Sequence, residues 1–126
     1  MPNVLIVDDE PDSCEVVAQF LTRYGHTTYS APNGRAALAQ LVDHRPDAVV
    51  LDISMPEMNG ITLLRLMRSY LRWQVIPVVV LTAHGTDEQL KEARELGACG
   101  IFQKSAFKLV DLLECLQKNL ARDDGA

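Results

Sequence analysis

The sequence predicts an α/β fold in which a doubly wound parallel sheet is covered by helices on both faces. Short apolar runs alternate five times with longer segments of helical periodicity. The strongest runs are rich in valine, isoleucine and leucine without polar alternation, which is typical of strands buried on both faces. Crossovers between such parallel strands are right-handed, and they place helices on both sides of the sheet.

The element boundaries follow from apolar runs and helix-capping residues. The five strands are expected at residues 4–7, 27–30, 48–51, 76–81 and 99–102, the second being the weakest. Pro11 falls in the first turn of the first helix, where a missing N–H is harmless. Asn33 caps the second helix. Thr86 and Gln89 have the spacing of a capping box for the fourth helix.

Apolar residues at helical spacing give the helices one buried face each. The third helix is expected from about residue 60 to about residue 71. The predicted stripes are Val17, Phe20, Leu21 and Tyr24; Ala37, Leu38, Leu41 and Val42; Ile61, Leu64 and Met67; and Leu109, Leu112, Leu113, Leu116 and Leu120. The last stripe could also form a coiled-coil seam, but it is too short for one, so packing against the sheet is favoured.

Length and charge limit the possible functions. The 126 residues fit one domain. The net charge of −5 argues against a nucleic-acid-binding surface, which needs clustered positive charge. No signal peptide is visible, and the longest mostly apolar stretch, residues 75–83, is too short to span a bilayer. We therefore expect a soluble cytoplasmic domain that binds neither membrane nor nucleic acid directly.

Cysteines and histidines give no sign of a metal or disulfide site. The three cysteines are an odd number without close pairing, which indicates buried thiols in a reducing compartment. The three histidines lack metal-ligand spacing, and His26 and His44 are expected as ordinary loop or surface residues.

Polar side chains stand at the ends of four of the apolar runs. Asp8 and Asp9 follow the first run, Asp52 follows the third, Thr82 ends the fourth, and Lys104 comes shortly after the fifth. In an open parallel sheet the carboxyl ends of the strands face one crevice, so these side chains are expected to converge. Three carboxylates together call for a divalent cation. A lysine and a hydroxyl beside them suit an anion such as a phosphoryl group.

These motifs, in this order, resemble the receiver domain of response regulators, a module of bacterial two-component signalling of the chemotaxis-regulator type. The matching segments are Val7-Asp8-Asp9-Glu10, Asn33-Gly34, Asp52 with Met55-Pro56 and Asn59-Gly60, Leu81-Thr82-Ala83, Gly97-Ala98 and Lys104. The resemblance implies a flavodoxin-like sheet of five parallel strands in the order 2-1-3-4-5 with five helices. It also implies a single receiver domain over residues 1–126, with a core of about 4–121.

The resemblance implies a chemical role for each strand-end residue. Asp52 is the phosphoacceptor, because a carboxylate can attack phosphorus and form an acyl phosphate. Lys104 would hold a phosphoryl oxygen, and Thr82 would donate a hydrogen bond to the phosphoryl group once it is present.

Mg²⁺ is the implied cofactor, since it prefers oxygen ligands. Asp9 and Asp52 would bind it directly and Asp8 through water. By analogy with the family, the backbone carbonyl of Ser54 would be a further ligand.

The implied partners are a histidine kinase or a histidine phosphotransfer protein, which supplies the phosphoryl group, and an effector that the sequence does not identify. The domain would then be a signalling switch whose surface changes around the fourth and fifth helices. It would not be an enzyme for an external substrate, although it could catalyse its own phosphorylation and dephosphorylation.

Three features depart from the family pattern. Ile101 occupies the place of the usual switch aromatic, and Phe102 cannot replace it because neighbouring strand residues face opposite sides. Ser105 follows the lysine where proline is usual. The positions two beyond Asp52 and Thr82, which tune phosphoryl lifetime in the family, are the polar residues Ser54 and His84.

Other functions are compatible with parts of the sequence. Asp8 and Asp9 could simply complement a helix dipole, and Lys104 could be a solvated surface residue. A haloacid-dehalogenase-type phosphohydrolase would need a second acid where Ser54 stands, and an FMN carrier would be repelled by the acidic first loop. A phosphorylation-independent interaction module stays open because of the departures in and after the fifth strand.

Overall fold

A computed structural model describes residues 2–54, 59–83 and 85–124. Within them the strands are β1 Asn3–Val7, β2 Thr27–Ala31, β3 Ala48–Leu51, β4 Val78–Thr82 and β5 Gly100–Gln103. The helices are α1 Pro11–Arg23, α2 Gly34–Asp43, α3 Gly60–Ser69, α4 Asp87–Glu95 and α5 Leu109–Asp124. All strands are parallel and lie in the order β2-β1-β3-β4-β5. The predicted α/β class and strand order 2-1-3-4-5 are confirmed.

The sheet separates two apolar cores. Leu5 and Val49 point into the core beneath α2, α3 and α4, whereas their neighbours Ile6 and Val50 point into the core beneath α1 and α5. This alternation is the period of two that a strand imposes on its side chains. Every residue of β3 and β4 is buried, which explains why both sequences are apolar except for Thr82 at the end of β4. The carboxyl ends of the central strands are therefore fixed relative to one another by packing on both faces.

Capping residues mark where helices begin, and glycines mark where they end, as the sequence predicts. The Asn33 side chain accepts a hydrogen bond from the third backbone N–H of its helix. Thr86 and Gln89 form both hydrogen bonds of the capping box. Gly25 and Gly97 follow α1 and α4 with φ of 92° and 82°, a left-handed conformation that favours glycine. These stops direct the chain back into the next strand.

The helical stripes are mostly as predicted. Four of the five leucines in α5 are buried against the sheet, which confirms core packing for that helix: Leu112, Leu113, Leu116 and Leu120. Tyr24 and Val42 were assigned wrongly, since they are 51% and 57% exposed. Val42 follows the buried Leu41, and one helical step turns it about 100° away from that residue. Tyr24 is the C-cap residue that follows α1.

Two further expectations need correction. His26 lies in a loop, as predicted, but it is buried, because the turn after α1 folds back and the N–H of His26 donates to the carbonyl of Leu21. Of the cysteines, Cys14 is buried and Cys115 half-buried, whereas Cys99 is exposed just before β5. Across the described ranges, no helix combines the length and apolar character needed to cross a membrane.

Candidate functional site

Backbone hydrogen bonds extend the sheet past its strand ends and fix the candidate residues. The N–H groups of Asp8, Asp52 and Lys104 donate to carbonyl oxygens at the ends of β2, β1 and β4 over 2.9 to 3.0 Å. Thr82 is itself the last residue of β4. Because β1 and β3 are apolar up to their last residues, and β4 up to the residue before Thr82, the polar residues that follow emerge at the same edge. Asp8, Asp52 and Thr82 are nonetheless 5%, 3% and 1% exposed.

The ammonium group of Lys104 joins three carboxylates at this edge. Its Nζ lies 2.9 Å from Oδ2 of Asp8, 3.2 Å from Oδ2 of Asp52 and 2.6 Å from Oε1 of Glu10. The Lys104 side chain is mostly buried, whereas that of Glu10 is largely exposed. The structure thus brings together Asp8, Asp52 and Lys104, as the sequence predicts, and adds Glu10.

Burial and the neighbouring carboxylates shift the pKa of Lys104 in opposite directions. Burial by itself would lower the pKa of Lys104, since it penalises the charged form. The hydrogen bonds with Glu10 and Asp8 and the negative charges of Asp52 and Asp8 outweigh burial and raise this pKa above its ordinary value. The ammonium is therefore fully charged at neutral pH. Three ionised carboxylates around one ammonium still leave the group with an excess of negative charge.

The donor set fits a hard divalent cation. Carboxylate oxygens of Asp8, Glu10 and Asp52 all lie within 4.8 Å of one another. Asp9 falls outside this group: it is exposed and lines a cavity of about 390 Å³ beside α1. The chain is extended at Glu10, so Asp8 and Glu10 face the lysine while Asp9 points away. Among the described residues, the Asp9 carboxylate has no hydrogen-bond or ion-pair partner.

Ser54 connects the Asp52 loop to Thr82. The backbone N–H of Ser54 donates to Oδ1 of Asp52 over 2.8 Å, which closes a tight turn after β3. The Ser54 hydroxyl lies 3.0 Å from that of Thr82. Thr82 therefore joins the site through Ser54. The Met55-Pro56 motif and His84 lie outside the described residues.

Gly60 permits the close approach of α3 to this turn. A Cβ at position 60 would lie 2.5 Å from Cα of Ile53 and closer still to the carbonyl oxygen of Asp52. No side chain fits there without displacing the backbone that carries Asp52. The Asn59-Gly60 pair therefore has two functions, since the Asn59 side chain caps α3 by accepting from the N–H of Thr62.

The side chains of Ile101 and Phe102 lie on opposite faces of β5, as predicted. Ile101 packs against the core beneath α4, whereas Phe102 packs against the core beneath α5, with its ring centroid 6.4 Å from that of Phe107. The peptide bond between Lys104 and Ser105 is trans.

Two contacts of the site were not predicted from the sequence. Glu10 directly follows the acidic pair, and its longer side chain reaches Lys104 from the start of α1. Its position two residues after Asp8 was the available signal. The hydroxyl contact between Ser54 and Thr82 had no such signal, because it depends on how the β3 and β4 loops lie in space.

The whole arrangement agrees with comparisons to known proteins. The sequence matches the family described as "Response regulator receiver domain" over residues 4–117. The chain belongs to this family. A curated relative, sporulation initiation phosphotransferase F of Bacillus subtilis, is 33% identical over 93% of the chain and 92% of its own length.

Solved structures give the same result. Chemotaxis protein CheY4 of Vibrio cholerae shares 31% identity with a TM-score of 0.84, covering 94% of this receiver domain and 98% of that chain. The signal receiver domain of a Syntrophus aciditrophicus signal transduction histidine kinase shares 31% identity with a TM-score of 0.86, covering 96% and 91%.

Some relatives are much longer. The receiver domain spans 54% of the Mycobacterium tuberculosis transcriptional regulatory protein KdpE, at 32% identity. Family membership and the structure together identify a signalling switch of two-component systems. They decide against the phosphohydrolase and FMN-carrier alternatives.

Proposed function

We propose that Asp52 accepts a phosphoryl group from a phosphohistidine of a histidine kinase or a histidine phosphotransfer protein, in the cytoplasm. The observation that carries this proposal is the placement of the Asp52 carboxylate. It is almost fully buried at a strand end, held by an N–H donor on Oδ1 and by the Lys104 ammonium on Oδ2. A carboxylate so fixed is oriented for in-line attack on phosphorus.

The transfer exchanges one bond to phosphorus for another. A carboxylate oxygen of Asp52 forms a bond to phosphorus, the P–N bond of the donor breaks, and its electron pair stays on the imidazole nitrogen. Lys104 then moves its ammonium from the carboxylates to a phosphoryl oxygen, and the Thr82 hydroxyl donates a hydrogen bond to another. Both groups act by positioning and charge, as phosphoryl transfer requires.

The acidic edge supports Mg²⁺ binding. Asp9 and Asp52 would hold the ion directly, Asp8 through water, and Ser54 through its backbone carbonyl. The exposed Asp9 carboxylate has no partner among the described residues, and a rotation of its side chain toward Asp52 would let it bind the ion while Glu10 stays paired with Lys104. The ion would offset the excess negative charge and shield the phosphoryl oxygens during attack.

The signal would pass from Thr82 into α4 and thus reach an effector. Gly85 lies between them: a Cβ at position 85 would be 3.2 Å from Cγ2 of Thr82 and 2.8 Å from Cδ2 of Leu90 in α4. Thr82 and Leu90 both border the space beside Gly85, so a movement of the Thr82 side chain into that space would bring it toward Leu90. Ile101 contributes packing to this face but has no ring whose rotation could report on Thr82.

Incubation with Mg²⁺ and acetyl phosphate, followed by intact mass measurement, tests the phosphoacceptor. The wild type should gain one phosphoryl group and Asp52→Asn none. Asp43→Asn, which alters an exposed acid at the end of α2, is the matched control and should label like the wild type. Labelling of Asp52→Asn equal to the wild type would refute the assignment. If wild type and control both stay unlabelled with acetyl phosphate and with a phosphohistidine donor, the interaction-module alternative gains.

The metal ligands are tested by the Mg²⁺ concentration that gives half-maximal labelling. Asp9→Asn should raise this concentration by at least tenfold, because a direct carboxylate ligand is lost. Glu10→Gln should change it far less. Equal effects of the two substitutions would remove Asp9 from the ligand set.

A further inference from the structure

Ser54 contacts both the proposed phosphoacceptor and the threonine at the end of β4. Its backbone N–H donates to Oδ1 of Asp52 over 2.8 Å. Its side-chain Oγ lies 3.0 Å from Oγ1 of Thr82. The backbone of Ser54 is therefore hydrogen-bonded to the carboxylate that would be phosphorylated, and its side chain is hydrogen-bonded to the Thr82 hydroxyl that would respond.

The environment of Thr82 makes the direction of its hydroxyl important. The residue is 1% exposed, so its hydroxyl is surrounded by protein atoms. A hydroxyl has a single proton to donate. When Thr82 donates to Ser54, that proton is not available to an oxygen bound to Asp52. An ionised phosphoryl oxygen is a stronger acceptor than a neutral hydroxyl, so it would win the competition.

We infer that the side-chain hydroxyl of Ser54 holds Thr82 in a resting orientation, which a phosphoryl group on Asp52 must overcome. Ser54 is thus a positioning residue that sets how readily Thr82 responds. The inference rests on the proposed phosphorylation of Asp52, and it assigns the Ser54 side chain a role separate from that of its backbone carbonyl. Without the hydroxyl, Thr82 is biased toward its responding orientation even before phosphorylation.

The first test measures Thr82 without any phosphodonor. The γ-methyl resonance of Thr82 is recorded by ¹H–¹³C NMR in the wild type with and without Mg²⁺ and beryllofluoride, a phosphoryl mimic. In Ser54→Ala the resonance of the free protein should move toward the mimic-bound position. Ser54→Thr, which keeps a hydroxyl, should retain the wild-type position. Ser69→Ala removes a hydroxyl that bonds a carbonyl within α3 and serves as the control for hydroxyl loss elsewhere.

The second test measures the affinity for beryllofluoride at saturating Mg²⁺. Removal of one competing neutral hydrogen bond should tighten binding by roughly two- to tenfold in Ser54→Ala. Ser69→Ala should bind as the wild type does, and Ser54→Thr, which keeps the hydroxyl, should show a smaller gain than Ser54→Ala. Ser54→Cys, of similar size but a weak hydrogen-bonding group, should fall between the wild type and Ser54→Ala, and it replaces the alanine variant if that variant does not fold.

The outcomes separate this inference from the proposed function. An unchanged Thr82 methyl resonance in Ser54→Ala would overturn the inference. Weaker beryllofluoride binding in that variant would also overturn it, since the hydroxyl would then support Thr82 rather than restrain it. If wild-type protein takes up neither beryllofluoride nor a phosphoryl group, the proposed function fails and the inference fails with it. If the wild type binds the mimic but the Ser54→Ala resonance does not move toward the mimic-bound position, the inference alone fails.

Discussion

Charged groups are held differently at the two ends of the parallel strands. The side of the sheet where the strands begin is called the amino edge, and the side where they finish is called the carboxyl edge. At the amino edge, the guanidinium of Arg68 donates to the backbone carbonyls of Leu96 and Ile76 over 2.7 and 2.8 Å. On the same edge the Asp47 carboxylate accepts the N–H of Asn3 over 2.7 Å. Both of these charged side chains are hydrogen-bonded to backbone groups, which belong to the fold itself. At the carboxyl edge, by contrast, three carboxylates share the single ammonium of Lys104.

The difference separates groups that stabilise the fold from groups that can change partners. Arg68 links the end of α3 to the turns before β4 and β5 through hydrogen bonds to backbone carbonyls. Lys104 has three competing partners, and a phosphoryl oxygen would be a fourth. A site whose charges are crowded and incompletely matched can accept a cation and an anion without breaking the surrounding fold.

The largest expected effect comes from glycines at the two edges. Gly60→Ala should destabilise the domain by about 3 kcal/mol or more and abolish labelling of Asp52, because the added Cβ overlaps the backbone at Asp52 and Ile53. Gly97→Ala should lower stability by only about 1–2 kcal/mol, the strain of a positive φ, since its Cβ would meet nothing nearer than 3.7 Å. Labelling should survive there. Urea denaturation and intact mass measure both effects, and equal damage to labelling would contradict the assignment of Gly60.

A smaller effect is expected from removing the cation of each edge. Lys104→Met should lower the free energy of unfolding by about 2–3 kcal/mol without Mg²⁺, somewhat less than for a fully buried pair, because Asp8 and Asp52 lose their ammonium. Millimolar Mg²⁺ should restore part of this loss. Arg68→Met should also destabilise the domain, since carbonyls at the amino edge lose their donor, but Mg²⁺ should give it no larger gain than the wild type. The same Mg²⁺ response in both variants would break the distinction between the edges.

How far the sequence predicts each edge depends on how local the cause is. Asp8, Asp52 and Lys104 could be placed from the sequence because a polar residue at the end of a buried strand must emerge at the sheet edge. Contacts between loops could not be placed in this way. Glu10 meets Lys104 across 94 positions, and Ser54 meets Thr82 across 28. Such contacts depend on the length of each side chain and on the path of each loop, neither of which hydrophobic periodicity specifies.

The same limit explains the wrong expectation for His26. Position alone marks it as a loop residue between α1 and β2. The backbone bond to Leu21 turns it inward, where neither ring nitrogen has a hydrogen-bond partner in the part of the chain that the structure describes. Burial lowers the pKa of His26, because the charged ring is penalised there.

The smallest predicted effect is a pH dependence that arises at the amino edge. The pKa of His26 is lowered in the folded state. Below about pH 6.5, His26 therefore binds a proton in the unfolded chain more readily than in the folded chain. The contribution of His26 to stability is therefore complete above that pH and is lost as pH falls toward the folded pKa, with a slope of at most about 1.4 kcal/mol per pH unit. Urea denaturation at pH 7.5, 6.5 and 5.5 measures it.

Substitutions of two histidines isolate this effect from other titrations. His26→Leu keeps the site apolar and should flatten the stability profile between pH 7.5 and 5.5. His44→Gln is the control, because His44 is exposed, with its ring stacked on that of Tyr29 at a centroid distance of 4.7 Å, and the wild-type slope should persist. Labelling of Asp52 at pH 7.5 should be unchanged in both variants, since His26 lies at the opposite edge from the phosphoacceptor. A slope that survives His26→Leu would show that the pH dependence does not arise from His26.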